Sequence, residues 1–267
     1  MKLCSEKELD IVKTFECGQC FRWNVGDDGV YRGIVDGHFA EVYVRNREVY
    51  ITSDAPDELW TRYFDLATDY AAVSRAFCGE YLEKCVSYGA GIRILRQDGW
   101  EALCSFIISQ CNNISRIKGI VERLCESFGD RIPTPEGMYY SFPSAERLAA
   151  LEPEDLACIR SGYRAEYIIA AARAVTSGEI DLDALRKCDY KSAVKVLRSI
   201  RGVGEKVANC VVLFGLWHME AFPIDVWMKR ALKENFPPDF KPESLGEYAG
   251  LAQQYIFYYA RSTGREK

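Results

Sequence analysis

The chain has 267 residues, of which 48% are hydrophobic and 27% are charged, and its formal net charge is −5. This composition is typical of a globular protein, and the apolar stretches are too short to cross a bilayer. The acidic excess lies in residues 1–75, while the remainder carries equal numbers of basic and acidic residues. Composition alone therefore predicts neither a membrane protein nor a generally basic nucleic-acid-binding surface.

The eleven cysteines are odd in number and scattered along the chain. The N-terminus shows no apolar segment followed by a small-residue cleavage site, so the sequence predicts a reduced, cytoplasmic protein. Cys17 and Cys20 form the one close pair, which is too few for a tetrahedral zinc site. No metal-ligand spacing surrounds the two histidines, and we therefore predict no metal site there.

Residues 20–53 predict an antiparallel sheet. Runs rich in β-branched and aromatic residues alternate there with turn signals such as Asp36-Gly37. The predicted strands are Cys20–Val25, Val30–Val35, Phe39–Val44 and Glu48–Ser53. From Pro56 the apolar spacing becomes helical, and the glycines of Tyr88–Gly91 predict a boundary between a domain at 1–90 and another at 91–267.

The second half of the chain is predicted to be almost entirely helical, except for Arg131–Ser144, whose three prolines predict a loop. The predicted fold class is therefore α+β, with an N-terminal antiparallel β-sheet domain packed on a mainly helical body. The predicted helices are Trp100–Gln110, Ile114–Phe128, a short helix from Ser144, Pro153–Ser161, Arg164–Ser177, Tyr190–Ile200, Val226–Glu234 and a last one near Ser244–Tyr259.

Two apolar helical runs flank the tight turn Gly202-Val203-Gly204, and this arrangement predicts a helix-hairpin-helix over residues 190–216. Glycines allow positive φ in the turn and a close approach of its amides to a ligand. The N-terminus of the second helix favours an anion, so the hairpin is predicted to hold a phosphate.

The turn Gly202-Val203-Gly204, with Lys206 two residues after Gly204 and Asp225 nineteen residues after the lysine, resembles the signature of the helix-hairpin-helix DNA glycosylase superfamily. Further motifs resemble the 8-oxoguanine DNA glycosylase family. They are Gly18–Trp23, Asn112–Ile117, Gly162–Ala165 and Ala252–Phe257, in order along nearly the whole chain. The resemblance implies a monomeric glycosylase that flips 8-oxoguanine out of duplex DNA, cleaves its glycosidic bond and nicks the abasic strand.

The resemblance makes Lys206 the nucleophile and Asp225 the anion that stabilises the developing positive charge on the sugar. The helix N-terminus disfavours a protonated amine at position 206, which suits a nucleophile. By position alone, however, Lys206 reads as a solvated or phosphate-binding lysine and Asp225 as a helix N-cap.

The base pocket implied by the resemblance consists of Gly18, Cys210, Gln253 and Phe257. The Gly18 carbonyl would accept the N7 hydrogen that guanine lacks, and the Gln253 amide would pair with the Watson–Crick edge. Cys210 and Phe257 would sandwich the ring. Without the resemblance, these last two would be ordinary core residues and Gln253 a solvated one.

The remaining predicted contacts are to DNA. Tyr163 would fill the gap left by the flipped base, and Arg116 and Arg164 would bind the opposite base. The other predicted DNA-binding residues are Asn112, Gly202, Val203, Gly204 and Trp227. The chain departs from the family at Cys111, where a third asparagine is usual, and at Trp227, where histidine is common.

Two alternatives remain open from the sequence. The first is a glycosylase for another damaged base, and the second is a non-catalytic helix-hairpin-helix DNA-binding protein. The resemblance implies that no cofactor is needed, apart from a structural monovalent cation at the hairpin carbonyls. The predicted partner is double-stranded DNA containing an oxidised guanine, not a membrane. The predicted location is the cytoplasm, with association to the nucleoid if the source is bacterial.

Overall fold

A five-stranded antiparallel sheet near the N-terminus runs in the order β1-β5-β4-β3-β2 in the computed structural model, which describes residues 1–264. Two-residue turns join β3 to β4 and β4 to β5, since Val35 pairs with His38 and Arg45 with Glu48. Both residues of each turn have positive φ, which matches the twist of a hairpin. The strands are β1 (Lys2–Ser5), β2 (Asn24–Val25), β3 (Tyr31–Val35), β4 (His38–Arg45) and β5 (Glu48–Ser53).

The strand predicted at Cys20–Val25 is wrong except for Asn24–Val25. The apolar side chains of this segment are buried in two different cores rather than on one face of a sheet. Phe21 belongs to the core of the helical body, whereas Cys20 and Trp23 belong to the core under the sheet. The composition of the segment therefore reflects burial rather than strand pairing.

The rest of the chain is mainly helical, so the predicted α+β class is confirmed. The helices are α1 (Ile11–Glu16), α2 (Asp57–Tyr63), α3 (Tyr70–Ser74), α4 (Glu80–Gly89), α5 (Gly99–Ile108), α6 (Ile114–Phe128), α7 (Ala145–Ala149), α8 (Arg164–Thr176), α9 (Leu182–Lys187), α10 (Tyr190–Leu197), α11 (Glu205–Phe214), α12 (Val226–Asn235) and α13 (Ala249–Thr263), with 3₁₀ helices at Pro153–Ile159 and Pro242–Tyr248.

The loop predicted at Arg131–Ser144 is wrong, because its first part forms a small hairpin of β6 (Arg131–Thr134) and β7 (Gly137–Tyr140). Pro133 is tolerated there because a two-stranded ribbon has only edge strands. Gly137 has φ +123 at the first residue of β7, a conformation that favours glycine.

The described residues form two hydrophobic cores, one under the sheet and one in the helical body. Under the sheet, Phe15 stacks on Trp23 with ring centroids 4.5 Å apart. In the helical body, α5 crosses α11, and Phe106 stacks on Phe214 at 5.4 Å. The boundary predicted at residue 90 stays a prediction, although α3 and α4 contribute Tyr70 and Leu82 to the core of the helical body. No helix within residues 1–264 combines the length and the apolar character that a membrane crossing needs.

Candidate active site

The turn between α10 and α11 depends on a glycine at position 202. Gly202 has φ +85, and an added Cβ would lie only 2.2 Å from Cγ of Tyr167. Its carbonyl accepts a hydrogen bond of 3.1 Å from Nε2 of Gln110. The hairpin is therefore fastened both to α8, which carries Tyr167, and to the segment after α5.

Gly204 differs from Gly202, because it is the N-cap of α11 with φ −85 and ψ 177. Positive φ thus occurs at only one of the two turn glycines. Val203 is 5% exposed, and its amide donates to the Ile200 carbonyl at 3.0 Å. Since the first-turn amides of α11 lack acceptors within the helix, this end of α11 can bind an anion.

We expect Gly202→Ala to destabilise the protein by about 3 kcal/mol, because alanine disfavours positive φ and its methyl group would displace the Tyr167 ring. The melting temperature should fall by roughly 10 °C in a thermal unfolding experiment. Gly204→Ala is the matched control. A Cβ there meets nothing within 4 Å, so its effect should stay below about 1 kcal/mol. Equal melting temperatures for the two variants would contradict this account.

Lys206 lies in the first turn of α11 and is half buried. Its Nζ donates to Oγ of Ser109 at 3.3 Å and lies 5.4 Å from the centroid of the Phe106 ring. The charge of this amine also acts on the thiol of Cys210, one helical turn further along α11. The end of α5 therefore holds the amine beside the first turn of α11.

Asp225 is the N-cap of α12, as its position in the sequence predicts, and its Oδ1 accepts from the amide of Met228 at 2.9 Å. Burial raises the pKa of the Cys210 thiol, the positive charge of Lys206 opposes this rise, and the negative charge of Asp225 adds to it. The charges of Lys206 and Asp225 both influence the pKa of the buried Cys210 thiol. The two groups predicted to be catalytic therefore lie in the same region.

A cavity of 460 Å³ adjoins Lys206 on the hairpin side. Tyr190 of α10 and Asn209 of α11 line it, and the Tyr190 hydroxyl donates to Oδ1 of Asn209 at 2.5 Å. Lys206 therefore adjoins an accessible space. Within residues 1–264, no group of three or more His, Cys, Asp or Glu side chains is placed to hold a metal ion.

The predicted base-pocket residues come from three segments. Gly18 has φ +86, and an added Cβ would lie 3.7 Å from Cε1 of Phe257, so its backbone adjoins that ring. Cys210 is buried on α11, which packs on α13 where Gly250 abuts Leu213. The structure thus brings Gly18 and Phe257 together, while the sandwich of a base between Phe257 and Cys210 stays a prediction.

Gln253 lies one turn before Phe257 on α13 and is 4% exposed. Within the described residues, its Oε1 atom is buried without a hydrogen-bond partner. A buried acceptor without a partner costs about 1–3 kcal/mol, which a ligand that donates a hydrogen bond would recover. The amide therefore has the property expected of a group that reads a base edge.

The residues predicted to handle the opposite strand differ in exposure. Tyr163 is 49% exposed and Arg116 is exposed on the first turn of α6, so both are accessible to DNA. Arg164 is 5% exposed, and its guanidinium donates to the carbonyls of Gln110 and nearby residues rather than to solvent. Asn112 Nδ2 donates to the carbonyl of Ile108 at 3.0 Å, at the end of α5.

The direct base contact predicted for Arg164 stays a prediction, since its donors already bind protein carbonyls. We expect Arg164→Met to lower the free energy of unfolding by about 2–4 kcal/mol, because buried carbonyls would lose their donors. Arg116→Met, at an exposed position, should change stability by less than about 0.5 kcal/mol. Urea unfolding of both variants tests this, and a similar small effect for both would contradict it.

Trp227 follows the first residue of α12, and its ring covers Gly264, where an added Cβ would lie 2.6 Å from Cζ3. The ring also lines a second cavity, of 280 Å³, together with Arg230 and Tyr259. Its predicted contact with a DNA phosphate stays a prediction.

Sequence reasoning missed three residues of the site. Ser109 holds the Lys206 amine, and Gln110 fastens the hairpin. Arg261 has its guanidinium carbon 5.5 Å from the Phe257 ring centroid and donates to the Glu16 carbonyl at 2.6 Å. The available signals were weak, since Ser109 and Gln110 merely precede the asparagine pair and Arg261 lies one helical turn beyond Phe257.

Two family models match the chain. They are the N-terminal domain of 8-oxoguanine DNA glycosylase over residues 2–103 and the HhH-GPD superfamily base excision DNA repair protein over residues 104–245. An N-glycosylase/DNA lyase of Saccharomyces cerevisiae is 43% identical over 159 residues, which cover 55% of the chain. The same alignment spans 42% of the yeast protein, so the chain matches less than half the length of that relative.

Two solved structures resemble the chain along almost its whole length. The structure of MBOgg1 in complex with a low-affinity DNA ligand has a TM-score of 0.90 and 38% identity, and the match covers 97% of this chain and 94% of that one. The Clostridium acetobutylicum 8-oxoguanine glycosylase/lyase, in complex with duplex DNA containing cytosine opposite 8-oxoguanine, has a TM-score of 0.89 and 33% identity, with 97% and 93% covered.

Proposed function

Because this chain belongs to the 8-oxoguanine DNA glycosylase family of the helix-hairpin-helix superfamily, we propose that it excises 8-oxoguanine from duplex DNA and nicks the strand in base excision repair. One observation carries the proposal for the active site. The Lys206 amine lies between the ends of α5 and α11, the residue lines a cavity, and both Lys206 and Asp225 influence the pKa of the Cys210 thiol.

In the proposed reaction, the neutral amine of Lys206 attacks C1′ of the flipped nucleotide. The bond from C1′ to N9 breaks and its electron pair leaves with the base. The amine nitrogen, positively charged after the attack, loses a proton, and the departing base takes up one proton, so that charge balances. The carboxylate of Asp225 stabilises the positive charge that develops on the sugar. Asp225 is the N-cap of α12, so its backbone position is fixed by the start of that helix. The cap hydrogen bond to Met228 fixes the direction of this carboxylate.

The strand is cut in a second stage. The sugar ring opens to give a Schiff base between Lys206 and C1′, which makes the C2′ hydrogens acidic. Loss of one C2′ proton to a base expels the 3′ phosphate and forms a carbon–carbon double bond, and water then hydrolyses the imine and frees the amine. Lys206 is regenerated, and because substitution, elimination and hydrolysis involve no net oxidation or reduction, the proposed reaction needs no redox cofactor.

Base recognition is proposed to use the pocket between Gly18 and α13. The carbonyl of Gly18 accepts the N7 hydrogen of 8-oxoguanine, whereas normal guanine presents a lone pair there and is repelled. The Oε1 of Gln253, which has no hydrogen-bond partner among residues 1–264, accepts a donor from the Watson–Crick edge. Phe257, beside Gly18, stacks on the ring.

A monovalent cation at the hairpin is also a proposal. The carbonyls of Ile200 and Gly202 lie in the turn, and each accepts one hydrogen bond from the protein. A carbonyl oxygen has a second lone pair, so both could still contribute to an ion that supports phosphate binding. We also propose that the protein acts in the cytoplasm, in association with the nucleoid if the source is bacterial.

Excision assays on matched duplexes test the proposed function. Single-turnover rates would be measured on duplexes that carry 8-oxoguanine, an alkylated purine, or no lesion. We expect strand cleavage of the 8-oxoguanine duplex alone. Faster excision of another lesion would replace the proposed substrate, and binding without excision of any lesion would leave a non-catalytic DNA-binding protein.

A further inference from the structure

Ser109 is fixed by its own helix. It caps the C-terminus of α5, and its hydroxyl donates to the carbonyl of Phe106 at 2.7 Å. Because the hydroxyl hydrogen is used in this bond, Ser109 cannot donate it to another group. Only the lone pairs of Oγ remain available, to accept a hydrogen bond. Ser109 is therefore an acceptor of fixed direction rather than a rotating hydroxyl.

The Lys206 amine meets this acceptor at 3.3 Å, across a sequence separation of 97 residues. The amine nitrogen is tetrahedral, with one bond to its own side chain. Ser109 Oγ takes one of the remaining three directions. A neutral amine fills the other two with its second N–H bond and its lone pair, so fixing the first N–H bond restricts where the lone pair can point.

We propose that Ser109 is a positioning residue for the nucleophile, which holds one N–H bond of Lys206 and thereby orients its lone pair toward the bound sugar. The ring of Phe106, in the same turn of α5, limits the amine from a second side at 5.4 Å. A flexible four-carbon side chain would otherwise sample many rotamers, and misplacement of a reacting atom by about 1 Å can cost 10²-fold in rate.

This role rests on the proposed function of Lys206, and the experiment keeps the two apart. Ser109→Ala removes the oxygen that accepts the hydrogen bond from Lys206, and Ser109→Thr keeps a hydroxyl on the β-carbon of residue 109. Ser105→Ala makes the same change one helical turn earlier on α5 and serves as the control. Each protein is assayed for melting temperature, affinity for an 8-oxoguanine duplex, single-turnover excision rate and yield of borohydride-trapped adduct.

We expect Ser109→Ala to lower the single-turnover rate by about 10- to 100-fold with duplex affinity and melting temperature near those of the parent. The trapped adduct should form more slowly by the same factor. Ser109→Thr should recover most of the rate, and Ser105→Ala should excise at the parental rate. A residue that only supports folding would not lose rate while keeping affinity and melting temperature. Nor would a hydroxyl at position 109 be expected to restore the rate.

Several results would overturn the role of Ser109. One is parental excision by Ser109→Ala, and another is a loss of rate that tracks a loss of affinity or of melting temperature. A third is a folded Ser109→Thr as slow as Ser109→Ala. If the parent protein itself forms no trapped adduct, the proposed function fails first. If the parent forms it and Ser109→Ala forms it equally fast, only the positioning role fails.

Discussion

Lys206→Gln is expected to lose base excision and strand cleavage together, by more than about 10⁴-fold, because glutamine cannot supply the attacking lone pair. Affinity for an 8-oxoguanine duplex should change little, since glutamine, although one atom shorter than lysine, keeps a polar group at the half-buried position. The measurement is a single-turnover time course with enzyme in excess over duplex.

The control for this variant is Lys195→Gln, which changes an exposed lysine on the other helix of the hairpin. It should excise at the parental rate. If Lys206→Gln kept a rate within about tenfold of the parent, another group would have to be the nucleophile. If both variants lost activity equally, a general loss of basic charge would be the explanation.

Asp225→Asn should lower the excision rate by about 10²- to 10³-fold while the fold is kept. Asparagine is as good an N-cap as aspartate, so the hydrogen bond to the Met228 amide is preserved and only the negative charge is lost. The melting temperature should therefore stay near that of the parent.

Asp225→Ala provides the complementary variant, because it removes both the charge and the cap. It should lose a similar factor in rate and also about 1 kcal/mol of stability. Thermal unfolding and single-turnover excision, measured on both variants, separate the two roles. An Asn variant with the parental rate would reduce Asp225 to a structural cap.

The elements that the sequence predicts best are those with a local signal. The sheet hairpins follow from the Asp36-Gly37 turn and the alternating strands. The bounds predicted for α6 agree with the structure because the pair Asn112-Asn113 interrupts the preceding helix, and the structure shows Asn113 as the N-cap. Strand β1 was missed because four residues carry almost no periodicity, and it exists only through its pairing with β5. Helix α9 was missed for a similar reason, since it is only six residues long.

The residues of the candidate active site, too, could be predicted only where they carry a local sequence signal. Lys206, Asp225 and the hairpin could be found because their spacing along the chain is a signature. Ser109 could not, because its role arises from the crossing of α5 and α11, which places it beside a residue 97 positions away. Likewise, the burial of Arg164 follows from carbonyls at the end of α5 that no local pattern reveals.

The most direct test of the account identifies the residue that becomes covalently attached to DNA. The protein is incubated with an 8-oxoguanine duplex and borohydride, the reduced adduct is digested, and the modified peptide is sequenced by mass spectrometry. The account predicts a single adduct on the side-chain nitrogen of Lys206. An adduct on any other residue, or excision that proceeds with no adduct, would contradict it.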